Sequence, residues 1–264
     1  MDTEAQHEKR DRSSDTPTGT EERSRFSRSA GLFGGPGTAG RPWLSWRRTG
    51  LLGLLCAVFL LLLSTFVLQP FLIPSGSMEP TLRVGDRLLV NKLAYRFGTV
   101  PERGDVIVFD GTDSFVQEPA QENPVTGLLH GAAAALGLAE PAETDFVKRV
   151  VGVGGDRVVC CDKGGRVEVN GRAVDERYVY AGDAPSRVPF DIVVPEGTLW
   201  MMGDHRSNSR DSRDHLGEPG GGMVPVERVI GRADWIGWPM GRWSVLEPTE
   251  AFRDVPRPGN GAHG

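Results

Sequence analysis

The chain has 264 residues, 39% of them hydrophobic, with a mean hydropathy of −0.28 and a formal net charge of −5. The weak acidic balance gives no overall basic face and argues against a nucleic-acid partner. No zinc-ligand spacing and no glycine-rich phosphate loop after a strand occurs, so neither a metal nor a cofactor is expected.

The averages conceal one concentrated apolar run. Leu51 to Leu68 is free of charged residues and is close to the roughly 20 residues that cross a bilayer's hydrocarbon core. A cleavable export signal is the rival reading, and Arg47-Arg48 fits its twin-arginine form. The run is longer than the about 7–15 apolar residues of such a signal, however, and QPFLIP offers no small-x-small cut site after it. A retained transmembrane helix over residues 50–69 is therefore predicted. Arg41, Arg47 and Arg48 precede the span, whereas the first basic residue after it is Arg83. The positive-inside rule places the N-terminus in the cytoplasm and the remainder outside, as a single-pass protein of the cytoplasmic membrane. Residues 1–49 read as a disordered cytoplasmic tail, since the first 40 mix charge signs with Ser, Thr and Gly and show no apolar period.

From residue 70 to about 250 the texture is β. RLLVNKLAYRF, DVIVFD, DFVKRVVGV, DRVVCC, RVEVNG, TLWMMGD and RVIGRADWI are short runs rich in Val, Ile, Leu and aromatics. They are separated by turn residues, including the hairpin-like DKGG and VNGR. The fold class predicted is mostly β, a closed or sandwiched domain outside the membrane. Residues 111–144 read as an insertion between two strands, with a short apolar helix in VTGLLHGAAAALGLA, and 251–264 as a flexible tail. Adjacent Cys160 and Cys161, about 3.8 Å apart at Cα across a trans peptide, fall below the usual disulfide span of roughly 4.4–6.8 Å, so free thiols are expected.

PSGSMEPTL, Pro74 to Leu82, places two serines, a glycine and two prolines just beyond the apolar run. A serine hydroxyl becomes a nucleophile only when a neighbour takes its proton. A histidine base would come from His130, His205, His215 or His263, and His205 and His215 lie in one loop with Asp204 and Asp214. Residues so close along a chain seldom point at one another. Lysine is the other choice, and the chain has only four against 26 arginines. Lys9 is on the far side of the membrane, Lys163 lies in the DKGG turn and Lys92 has polar neighbours. Lys148, within DFVKRVVGV, has the most apolar setting. Burial there would lower its proton affinity, while the plainer alternative is an edge-strand lysine reaching water. The residues alone favour that plainer alternative.

PSGSMEPTL, RGDVIVF, FVKRVVGVGGD and MGDHRSNSRDSR, in this order after one apolar span, resemble the boxes of bacterial type I signal peptidases, over roughly Pro70 to Trp235. The resemblance implies a membrane-anchored serine endopeptidase with a Ser-Lys dyad. It would remove signal peptides from exported precursors after small residues, at Ala-x-Ala-like sites. By position it implies Ser77 as nucleophile and Lys148 as general base. Ser75 corresponds to the serine that lines the oxyanion hole with the Ser77 N–H, and Ser209 to the serine that hydrogen-bonds the lysine amine. Asp211 with Arg213, and Asp204, fall at supporting positions, and Phe71, Ile73, Pro74 and Val147 where small side chains are bound. Partners implied are precursor proteins, the bilayer and components of the export machinery. His205-Arg206-Ser207 departs from the family's frequent Asn-Arg-Asp, and EPGGGM lengthens the loop after Gly217. Two alternatives stand beside this one: an inactive anchored β domain that binds export partners, and a related Ser-Lys peptidase that cleaves itself.

Overall fold

The computed structural model describes residues 42–116, 133 and 144–258. The apolar run forms one helix, α1, Pro42–Phe66. Its stretch Ser45–Phe66 is long and apolar enough to cross a membrane, and its leucines and phenylalanines project outward largely uncovered. A helix apolar on all sides has no protein core to pack against and is matched by lipid. It starts earlier than predicted, taking in residues 42–49 of the expected tail; the rest of that tail lies outside the described residues. It also ends earlier. Lys92 N–H donates to the Val67 carbonyl, and strand pairing captures Leu68 and Gln69, which the predicted span includes.

The domain beyond is mostly β, as its short, turn-bounded runs predict. Leu68–Leu72 (β1) pairs antiparallel with Arg87–Asn91 (β2). Val106–Asp110 (β3), Asp145–Val153 (β4), Thr198–Met202 (β9), Val224–Pro225 (β10) and Val229–Trp238 (β11) complete a sheet of order β1-β2-β11-β3-β4-β9-β10, with Ser244–Val245 (β12) also on β11. Pro70 is tolerated because β1 is an edge strand and lacks a second neighbour to accept an N–H. A smaller antiparallel sheet contains Arg157–Cys160 (β5), Val167–Val169 (β6), Arg172–Ala173 (β7) and Phe190–Val193 (β8), in the order β7-β6-β5-β8. The predicted turns fall between its strands. Asp162 Oδ1 accepts from the Gly164 and Arg166 N–H groups, and Asn170 and Gly171 both take positive φ, 51° and 77°, as a two-residue hairpin requires.

Strand β3 is apolar on both faces because it is covered on both. Val106 and Val108 pack with Phe71, Leu88, Val90 and Ile236, whereas Ile107 and Phe109 pack with Val150, Leu199 and Met201. A third core joins the sheets, where Val151, Trp200 and Met202 meet Val158, Val167, Val169 and Phe190. Phe252 and Val255 enter that same core, so the chain from 251 to Val255 is part of the domain and not a loose tail. Cys160 and Cys161, expected as free thiols, form a disulfide. The peptide between them is cis, which brings the Cα atoms to 2.9 Å. At the base of the insertion Gly111 N–H donates to the Thr144 carbonyl. The helix predicted within the insertion lies outside the described residues, apart from Ala133.

Candidate active site

Three segments converge where β1 and β9 end. After β1 the chain turns through Gly76–Met78, and Met78 and Leu82, 1% and 0% exposed, anchor this turn in the core. Ser77 is thereby held at the core's margin. Lys148 lies on β4, which is internal to the sheet, between β3 and β9. It is 4% exposed, so the edge-strand alternative does not apply. Arg149 pairs in register with Met202, the last residue of β9, which brings the following loop, Gly203 onward, alongside Lys148. Gly203 has no substitute at this junction: a Cβ there would lie 2.6 Å from the Ser77 carbonyl oxygen and collide with Ser209 Oγ.

Lys148 Nζ lies 3.0 Å from Ser77 Oγ and 3.1 Å from the Val147 carbonyl oxygen. Ser75 Oγ lies 3.3 Å from Ser77 Oγ. Burial is the main influence on the Lys148 amine and lowers its pKa to about 8; the charges of Asp211 and Asp204 pull partly the other way. Those two carboxylates are committed elsewhere. Arg149 donates to both oxygens of Asp204 at 2.8 and 2.6 Å, and Thr81 Oγ1 donates at 2.5 Å. Burial disfavours the Asp211 carboxylate, yet hydrogen bonds and charge from Arg213, with the Gly203 N–H, hold it below the usual carboxylate range. An arginine stays charged at any accessible pH. Each carboxylate therefore keeps a permanent counter-ion, and neither forms an ion pair with the lysine.

Ser209 is buried beside this cluster, but the hydrogen bond expected between it and the lysine is absent. Nζ instead contacts Ser77 and Val147, and the Ser209 hydroxyl acts on Asp211, whose carboxylate it helps to keep ionised. Of the four expected substrate contacts, Phe71 and Ile73 are each 3% exposed and belong to the core beneath the turn. Pro74 is exposed and Val147 half-buried. The other two lysines among the described residues are differently placed: Lys92 donates to Gln69 Oε1 at 3.1 Å, and Lys163 is exposed. Neither loop histidine bonds the Ser77 hydroxyl. His215 pairs with Glu218 and stacks on Phe115.

Several residues of the site carry no clear mark in the sequence. Arg149 stacks over the Tyr178 ring at 4.2 Å, and Arg206 reaches Glu176 and the Pro185 carbonyl. With Asp204 they form a buried charge network that joins the loop holding Glu176 and Tyr178 to the Gly76–Met78 turn. His205 donates its main-chain N–H to the Ser77 carbonyl at 3.1 Å, and its Nδ1 lies 3.2 Å from the Gly76 carbonyl oxygen. The one signal was the departure His205-Arg206-Ser207 itself.

The family model described as signal peptidase, peptidase S26, matches residues 46–238. The chain belongs to the signal peptidase family of peptidases. A signal peptidase I of Mycobacterium tuberculosis (strain ATCC 25618 / H37Rv) is 40% identical to it over 222 residues, 76% of this chain and 75% of that protein. A probable signal peptidase I of Mycobacterium leprae is 40% identical over 208 residues, 68% of this chain and 71% of that one. A probable signal peptidase I-2 of Synechocystis is 34% identical over 204 residues, 77% of each. These relatives are signal peptidases by name, and neither an inactive binding domain nor a self-cleaving Ser-Lys peptidase is favoured. Within the signal peptidase family, a hydrolase with one apolar helix before a β domain accounts for both halves of this chain.

Proposed function

We propose that the protein is a membrane-anchored endopeptidase that removes signal peptides from exported precursors, with Ser77 as nucleophile and Lys148 as general base. One observation carries this reading: a lysine amine, buried and without an ion-pair partner of its own, lies 3.0 Å from a serine hydroxyl. A free amine near neutral pH can take the Ser77 proton as Oγ attacks the scissile carbonyl. The tetrahedral oxyanion is met by the Ser75 hydroxyl and the Ser77 N–H. The ammonium then protonates the departing amine, leaving an acyl-enzyme. The free amine next draws a proton from water, which hydrolyses the ester and releases Ser77.

Pro74 and Val147 offer surface beside the nucleophile for the small residues of an Ala-x-Ala site. The charge asymmetry about α1 supports a cytoplasmic N-terminus and a catalytic domain on the far side of the cell membrane. A signal peptide's apolar core lies in the same bilayer, so enzyme and scissile bond share one side. The test is cleavage of a synthetic Ala-x-Ala precursor by the full-length enzyme and its Ser77→Ala variant. The variant is expected to lose cleavage altogether, and full retention would overturn the assignment.

A further inference from the structure

His205 touches the nucleophile turn twice. Its main-chain N–H donates to the Ser77 carbonyl, and its ring Nδ1 is 3.2 Å from the Gly76 carbonyl oxygen. A carbonyl oxygen only accepts, so Nδ1 carries a proton in this contact. The ring is fixed from its other sides. It stacks on Tyr180 at 4.0 Å between centroids and 8° between planes. Glu79 Oε2 lies 3.9 Å from Nδ1 and Asp183 Oδ2 lies 4.0 Å from Nε2. The Asn208 N–H donates to the His205 carbonyl at 2.9 Å.

The Gly76 carbonyl and the Ser77 N–H belong to one peptide unit. A hydrogen bond accepted at the oxygen draws electron density along the amide and makes the N–H at its other end a stronger donor. The same bond restrains rotation of that peptide plane, and hence the direction of the N–H. We infer that His205 is a positioning residue for the oxyanion hole, which orients and polarises the Gly76–Ser77 peptide through Nδ1–H. This rests on the reading of Ser77 as nucleophile and adds a residue to it. The imidazole neither touches substrate nor exchanges a proton during the reaction. Because it acts on a donor used only when charge develops on the substrate carbonyl, its contribution belongs to turnover and not to substrate binding.

The experiment uses the full-length enzyme and the synthetic precursor, with kcat and KM determined for His205→Phe, His205→Asn and Ser77→Ala. Phenylalanine keeps a flat ring against Tyr180 but has no N–H. Asparagine carries an N–H at the same number of bonds from the backbone as Nδ1. A direct oxyanion donor is worth about 10²–10³ in kcat, and a polarising bond one step behind it should cost His205→Phe about three- to tenfold. KM should stay within about twofold, and His205→Asn should recover most of the rate. Full kcat in His205→Phe, a loss confined to KM, or an asparagine variant as slow as phenylalanine would each overturn the inference. Should phenylalanine prevent folding, the same comparison is made between His205→Asn and His205→Ala. Cleavage by Ser77→Ala would instead overturn the nucleophile itself, so the two failures are told apart.

Discussion

Lys148 is 4% exposed, and withdrawal of an ammonium from water is the first cause of its lowered pKa of about 8. Two consequences have opposite signs for activity and stability. The proposed reaction needs the free amine, so kcat/KM should rise with pH and level off above about 8; a flat profile between pH 6 and 9 would remove Lys148 as the base. For stability, the unfolded chain keeps the ordinary lysine pKa of about 10.4 and binds more protons than the folded state between there and about 8. Stability should therefore rise with pH across that window, and below about pH 8 the folded state carries the full cost. At 1.36 kcal/mol per unit this is about 3 kcal/mol, an order-of-magnitude value. Lys148→Met should consequently be inactive yet more stable than the parent at pH 7, by about 1–3 kcal/mol in urea unfolding, with the advantage shrinking toward pH 10. Lys148→Arg keeps a charge that cannot be lost and should cut turnover by about 10²–10⁴. Lys148 stood out in the sequence as the lysine with the most apolar neighbours among four, but its role was implied by the motif resemblance and not by those neighbours. The engagement of the Ser209 hydroxyl with Asp211 in place of Lys148 was not legible there, since a motif position does not say which hydrogen bond its side chain completes.

At the level of elements, β4 and the loop after β9 carry a buried network whose members are far apart in the chain. Arg149 and Asp204, 4% and 0% exposed at their side chains, form its central pair. Such a pair adds little over a well-packed apolar substitute, but removal of one partner strands a charge. Asp204→Ala should therefore destabilise the domain by about 3–5 kcal/mol, measured by denaturant unfolding, whereas the exposed pair Arg157–Asp191 should tolerate the same kind of change within about 1 kcal/mol. Sequence pattern showed seven of the strands, because alternation and turn residues are local. It missed β1, β7, β8, β10 and β12, which are short or contain proline and exist through their partners. It also missed the network: Arg206 meets Glu176 across 30 positions and Arg149 meets Asp204 across 55, and no local rule pairs them. The two cysteines misled for a related reason, since the reading assumed a trans peptide.

Over the whole molecule, only Val67 separates α1 from β1, and its carbonyl is already held by Lys92. The helix thus runs into the edge strand with no flexible linker, and Ser77 follows within a contour length of about 30 Å from Leu68. Insertion of a ten-residue Gly-Ser segment between Val67 and Leu68 should leave cleavage of a short peptide in detergent near the parent value. Cleavage of a precursor embedded in vesicles should fall severalfold, since a flexible linker lowers the effective concentration of one site near another; equal loss on both substrates would point to damaged folding instead. A stiff joint of this kind sets a working radius. The blade would sit at a fixed height above its floor, and cut sites that emerge well beyond that height should pass uncut, whatever residues they present.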